Sequence, residues 1–147
     1  MKTKILSCIA ICILICFACN QPPETFLKTY DEPGVWKSIE VREGLTKEDA
    51  WKTVVDAIAQ KFDLEVLDKE SGYLRTSWKF SYIIQGKVSD KYRSRIIIKF
   101  QSGEAKLIQV KSEANWLETD GWILGYDTRL LEDVYGDLQG RIGRVRR

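Results

Sequence analysis

The sequence predicts an α+β fold: an antiparallel sheet of four to five strands with two amphipathic helices on one face, in the order β-α-β-β-β-β-α. Three observations lead there. Apolar residues recur at helical spacing in two separate stretches, they alternate with a period of two in the region between, and glycine-containing or polar breaks cut that region into strand lengths. A period of two over strand-length runs means one buried and one wet face, which is the habit of antiparallel sheets.

Trp36 to Val41 alternates imperfectly and reads as a short edge strand. Thr46 is a helix N-cap, and Glu48 and Asp49 place negative charge in the first turn, where the helix dipole favours it. Trp51, Val54, Val55, Ile58 and Phe62 then form one apolar stripe, so the first helix ends near Phe62. From Leu64 the period changes to two, with breaks at Gly72, Gln85 to Asp90 and Ser102-Gly103. Leu74, Thr76, Trp78, Phe80 and Tyr82 are expected on the buried face, with Ile96, Ile98 and Phe100 on the next strand and Ile108 and Val110 on the last. The second helix is expected from about Asp127 to Arg144, with Leu131, Val134, Leu138 and Ile142 on its stripe.

The chain has 147 residues, which sets the domain organisation: 1–18 a signal sequence, 19–34 an anchor and extended tether, and 35–147 a single domain. Lys2 and Lys4 precede an unbroken apolar run from Ile5 to Ala18, and a small residue stands just before Cys19. As a helix that run spans about 21 Å, short of the roughly 30 Å of a bilayer core. Residues 20–34 (NQPPETFLKTYDEPG) contain all three prolines and little periodicity, so they read as a linker that reaches up to about 50 Å when stretched.

All four cysteines fall at positions 8, 12, 16 and 19, leaving none for a disulfide framework or a metal site in the folded region. The chain has no histidine. The commonest general base, the commonest metal ligand and the best nucleophile are therefore missing from the domain. The carboxylate pairs Glu48/Asp49, Asp68/Glu70 and Glu132/Asp133 fall at helix starts, turns and exposed helix positions, where solvated surface is the simpler reading. The expectation is a protein without catalytic residues, cofactor or metal. Beyond the leader, 21 basic residues balance 21 acidic ones, which removes any general attraction to nucleic acid.

Two groups of residues stand out. If the apolar assignments hold, the opposite sheet face carries Arg75, Lys79, Arg93, Arg95, Lys99 and Lys111, with Glu113 as a counter-charge, and this face is a candidate for an anionic partner. Residues 114–126 (ANWLETDGWILGY) crowd Trp116, Leu117, Trp122, Ile123, Leu124 and Tyr126 into what is expected to be a connection. Trp116, Trp122 and Tyr126 are thus candidates for a contact loop or for the lid of a pocket.

Ile15-Cys16-Phe17-Ala18-Cys19 resembles the lipobox of bacterial lipoproteins, in which the chain is cleaved before a cysteine that is then acylated. Cys16 stands where an aliphatic residue is usual. The resemblance implies lipidation of Cys19, residence in the cell envelope and attachment to a membrane; Asn20 in place of aspartate implies the outer membrane. Within the domain, Glu43 to Trp51, Phe62 to Val66 and Asp68 to Leu74 resemble the repeat unit of NlpB/BamC-type lipoproteins, which have a helix-grip fold. That resemblance implies a non-catalytic accessory role among envelope proteins. The alternative is a lipid-anchored binder of a small apolar ligand, held between the sheet and the second helix.

Overall fold

The computed structural model describes residues 21–29, 34–101 and 106–144. Two helices lie on one face of an antiparallel sheet, the α+β class expected. The order differs. The elements run β1 (Phe26–Lys28), β2 (Lys37–Glu40), α1 (Lys47–Ala59), β3 (Leu64–Asp68), β4 (Tyr73–Thr76), β5 (Ile83–Ile84), β6 (Lys87–Val88), β7 (Tyr92–Gln101), β8 (Leu107–Glu118), β9 (Gly121–Asp127) and α2 (Thr128–Ile142). Seven strands form the main sheet, in the path β1-β9-β8-β7-β4-β3 with β2 also on β8, and β5-β6 is a separate hairpin.

The long β7-β8 hairpin is the spine. Alternation puts Ile96, Ile98, Phe100, Ile108 and Val110 on the inner face, all buried. One edge of β8 is taken by β7, from Leu107 opposite Gln101 to Trp116 opposite Tyr92. Its other edge is divided, with β2 on Leu107 to Val110 and β9 on Ala114 to Glu118. Against the inner face pack Ala50, Trp51, Val54, Ala57 and Ile58 of α1 and Leu131, Val134, Leu138 and Ile142 of α2. The first helix begins as its cap dictates: the Thr46 hydroxyl accepts from the Asp49 N–H at 3.0 Å.

Three departures from the sequence reading share a cause, in that short or two-sided strands carry no clean period. Phe26–Lys28, expected inside the tether, forms β1 on the free edge of β9, with Phe26 opposite Asp127 and Lys28 opposite Gly125. Phe26 is buried with Tyr92, Ala114 and Trp116 in a second core cluster. Gly125 makes room for it, since a Cβ there would run into the Phe26 ring and the Leu27 carbonyl. Residues 114–126, expected as a connection, are the end of β8 and β9 joined by a tight turn in which Gly121 has φ 124°. The strand expected through Tyr82 ends at Thr76. Tyr73 pairs with Lys99 and Arg75 with Ile97, but Lys79 bridges to Ser94, one residue out of register. That bulge exchanges the faces of Trp78 and Lys79, whereas Tyr82 still packs on Tyr92 and Trp116 of the second core cluster, the side expected for it.

Asp127 is the pivot between sheet and second helix. Its carboxylate caps α2 by accepting from the Leu130 N–H at 3.0 Å, and it accepts from the Tyr92 hydroxyl at 2.6 Å. Its backbone carbonyl accepts from the Ser112 hydroxyl at 2.7 Å, and its N–H donates to that same oxygen at 3.1 Å. Burial, the hydrogen bond to Asp127 and the negative charge of Asp127 together hold the Tyr92 phenol well above its ordinary pKa of 10.0. The folded state therefore keeps the Tyr92 proton after the unfolded chain releases its own. This contribution to stability is complete below the ordinary phenol pKa and falls away as the pH rises through and beyond it.

Two outcomes follow for equilibrium unfolding by denaturant. Phe26→Ala is expected to cost about 3–4 kcal/mol, as for other buried phenylalanines; an unchanged midpoint would mean that β1 adds nothing to the sheet. Tyr92→Phe is expected to cost about 2 kcal/mol at neutral pH, the scale of a hydrogen bond to a charged acceptor, and to flatten the loss of stability above pH 10. An alkaline limb as steep as in the parent would show that Tyr92 is not its source.

Candidate functional site

With both helices on the inner face, the outer face of the sheet faces outward uncovered. It is built from the odd-numbered residues of β7 and β8, with Tyr73 and Arg75 from β4, Trp122, Leu124 and Tyr126 from β9, and Trp36 just before β2. Cations and aromatic rings interleave along it. The Arg93 guanidinium lies 4.2 Å from the Trp122 ring centre and 4.6 Å from that of Trp78, whose ring also lies 4.2 Å from Arg95. Toward the other end, Trp36 receives the Lys111 and Lys99 ammonium groups at 5.1 Å each, and Lys99 also lies 6.0 Å from Tyr73. Each such contact contributes about 0.5–2 kcal/mol, according to how far water is excluded.

Carboxylates neutralise the middle of this row. Glu113 receives Arg95 and Lys111, both at 2.7 Å. Glu65, turned outward by the register shift between Leu64 and Val66, receives Arg75 at 3.0 Å and Arg95 at 3.6 Å. Burial works against ionisation of Glu113, yet the hydrogen bonds from Lys111 and Arg95 outweigh it and hold the carboxyl below its ordinary range. Arg93 and Lys99 differ from the others: among the described residues neither has an acidic partner, and the buried Nε of Arg93 has no hydrogen-bond acceptor. They are six residues apart on β7, roughly 20 Å at strand rise.

The expected basic face is therefore assembled in part. Arg75, Arg93, Arg95, Lys99 and Lys111 share it. Lys79 does not: the bulge after Thr76 turns it to the helix side, where its ammonium donates to the Lys61 carbonyl at 3.0 Å and lies 5.2 Å from the Phe62 ring. Trp78, expected in the core, takes the outward place instead. The aromatic group divides likewise. Trp116 is buried on the inner face, opposite Tyr92, whereas Trp122 and Tyr126 are half-buried on the outer face. They form neither a loop nor a lid. Trp36, Tyr73 and Glu65 were not singled out from the sequence; the only signal for them was their outward parity in short strands. Cys19 lies outside the described residues.

The space between the sheet and α2 is filled by Leu131, Val134, Leu138 and Ile142. A groove of about 620 Å³ runs beside that helix, along the edge of β2, but it is open and lined by Glu40, Arg42, Gln139 and Arg144 among others. One member of each of the first two carboxylate pairs makes a local structural contact. Asp49 sits at the Thr46 cap, and Asp68 accepts from the Glu70 and Ser71 N–H groups of a turn. No cluster among the described residues offers three metal-ligating side chains. No family model and no curated protein matches the chain.

Glu113 links the face to acidity. Because its carboxyl is held low, its contribution to stability is present above the ordinary carboxylate range and is lost as the pH falls through the folded value. Glu113→Gln is expected to shrink the difference in unfolding midpoint between pH 7 and pH 3; an undiminished difference would place the acid sensitivity elsewhere.

Proposed function

We propose that this chain is a lipid-anchored, non-catalytic module of the cell envelope, held at a membrane through Cys19 and presenting the outer face of its sheet to a protein partner. One observation carries the reading: the face that both helices leave uncovered is lined with interleaved rings and cations, two of which have no carboxylate partner among the described residues. Such a face offers planar apolar area and unspent positive charge together, the composition of interaction surfaces rich in tryptophan, tyrosine and arginine. The Lys99 end, with Trp36 and Tyr73, is the part farthest along β7 from the strand that carries the N-terminal segment, and it is the part we assign to the partner. An acidic surface on that partner fits the open charge.

The sheet with two covering helices is read as a variant of the helix-grip arrangement, extended by β1 and by the β5-β6 hairpin. This supports an accessory role of the kind that the NlpB/BamC resemblance implies. The outer membrane is the proposed location, on the strength of Asn20 after the cysteine. The filled interface beneath α2 favours a contact module over a carrier of small apolar ligands.

Cys19→Ser is expected to move the processed protein from the membrane fraction to the soluble fraction of the envelope, because the thioether-linked lipid supplies the hold. Persistent membrane association of that variant would remove the anchor from the proposal. Capture from solubilised envelopes by the lipidated protein, weakened several-fold by Lys99→Glu, tests the partner face; capture unaffected by the reversal would exclude it.

A further inference from the structure

The outer face ends in a corner that differs from the rest of it. On β1 and β9, Leu27 and Leu124 point outward with 46% and 60% of their surfaces exposed. Leu27 lies opposite Tyr126, and the Thr29 N–H donates to the Leu124 carbonyl at 3.0 Å, so the two leucines are diagonal neighbours across one strand pair. Trp122 stands two residues from Leu124 on the same face. Arg93 borders this apolar group, since it pairs with Asn115, which pairs in turn with Leu124, and its guanidinium stacks on Trp122. The nearby Lys28 and Glu118 are paired with each other at 3.3 Å.

We propose that this corner, made by Leu27, Trp122 and Leu124 with Arg93 at its border, rests on an anionic lipid surface, the one in which the N-terminal region of the same chain is held. The proposal rests on the membrane-bound reading given above and adds which part of the domain touches the bilayer. The course of the chain selects that occupant. β1 is the first strand among the described residues, and the apolar run ends at Ala18, so seven residues lie between it and Phe26, a reach of roughly 30 Å at most. The Phe26 N–H closes a turn onto the Pro23 carbonyl at 2.9 Å, and Thr25 is tied to α2 through the Thr128 N–H at 2.9 Å, so the usable length is shorter still. In a chain held at a membrane by its N-terminal region, the β1-β9 corner is thus the part of the sheet closest to the point of attachment along the chain.

The chemistry suits that site. Leucines at a lipid boundary bury their exposed area in the acyl region, and an indole sits at the headgroup level with its ring in apolar and its N–H in polar surroundings. The Arg93 guanidinium, 4.6 Å and 4.2 Å from the Trp78 and Trp122 ring centres and without a carboxylate partner among the described residues, is a positive donor group suited to phosphate oxygens.

The experiment uses the full chain, reconstituted from detergent into vesicles of phosphatidylethanolamine and phosphatidylglycerol whose acyl chains are brominated near the headgroups. The apolar leader keeps the unprocessed chain in these vesicles whatever the state of Cys19. Bromine is expected to quench the tryptophan emission, with at least half of the quenched part lost in Trp122→Phe and in the double variant Leu27→Glu/Leu124→Glu. Arg93→Gln is expected to lower the quenching in these vesicles and to leave it unchanged in phosphatidylcholine. Leu67→Glu, at an exposed leucine on the far edge strand β3, is the control for a general effect of added charge and is expected to change nothing. Quenching that survives Trp122→Phe, or that falls equally in Leu67→Glu, overturns the assignment of this corner. That failure is distinct from failure of the anchor: membrane-bound Cys19→Ser protein would sink the lipid attachment and leave the corner standing, whereas an unquenched Trp122 does the reverse.

Discussion

The fold turns on the carboxylate of Asp127. A strand that delivers its chain to a helix must end its ladder, reverse its dihedral preference and find acceptors for the first free N–H groups of the helix. Here one residue serves all of these at once, because its side chain caps α2 while the Tyr92 hydroxyl and the Ser112 hydroxyl fix its own orientation from β7 and β8. The direction in which α2 leaves the sheet is thereby set, and with it the placement of Leu131, Val134, Leu138 and Ile142 over the inner face. The pivot is buried, so its hydrogen bonds are shielded from competition with water.

Committing both helices to one side leaves the other side to manage water by itself. A sheet face of aliphatic residues would invite aggregation, and one of charges alone would repel itself. This protein interleaves the two kinds of group. Long cationic side chains lie over indole and phenol rings, and Glu65 and Glu113 absorb the charge at the centre. The result is a face on which cations lie over the rings, and on which, among the described residues, Arg93 and Lys99 have no acidic partner. The helix side is organised differently, by local pairs such as Lys52 with Asp56 at 2.9 Å and Arg141 with Asp137 at 2.8 Å. Those exposed pairs contribute little to stability.

Much of this was legible in the amino-acid order because the elements concerned are long and one-sided. The stripe from Trp51 to Phe62 and the stripe from Leu131 to Ile142 repeat at helical spacing, and β7 and the first half of β8 alternate at their inner positions, so the large inner residues were identified while Ala50 and Ala57 were not. β9 escaped detection because Trp122, Ile123 and Leu124 are apolar in succession, on both faces of the strand, and carry no period of two. β1 escaped because three residues among prolines are too few to show any pattern. A bulge leaves no mark in composition, yet the one after Thr76 exchanged the places of Lys79 and Trp78 and so altered the basic face. The site was thus visible as a set of cations and, separately, as Trp122 and Tyr126 in an expected loop, while Trp36, Tyr73 and Trp78 were not connected with it.

β1 also fixes a length scale. A tether of fifteen residues would let the domain sweep a hemisphere with a radius of about 50 Å, whereas a sheet that starts at Phe26 leaves roughly half that radius to a chain held at Cys19. The accessible volume scales with the cube of the radius, so it shrinks about eightfold, and the local concentration of the domain against anything at the surface rises by the same factor. For a module anchored as proposed, three residues of edge strand, by adding themselves to the sheet, halve the radius over which it moves.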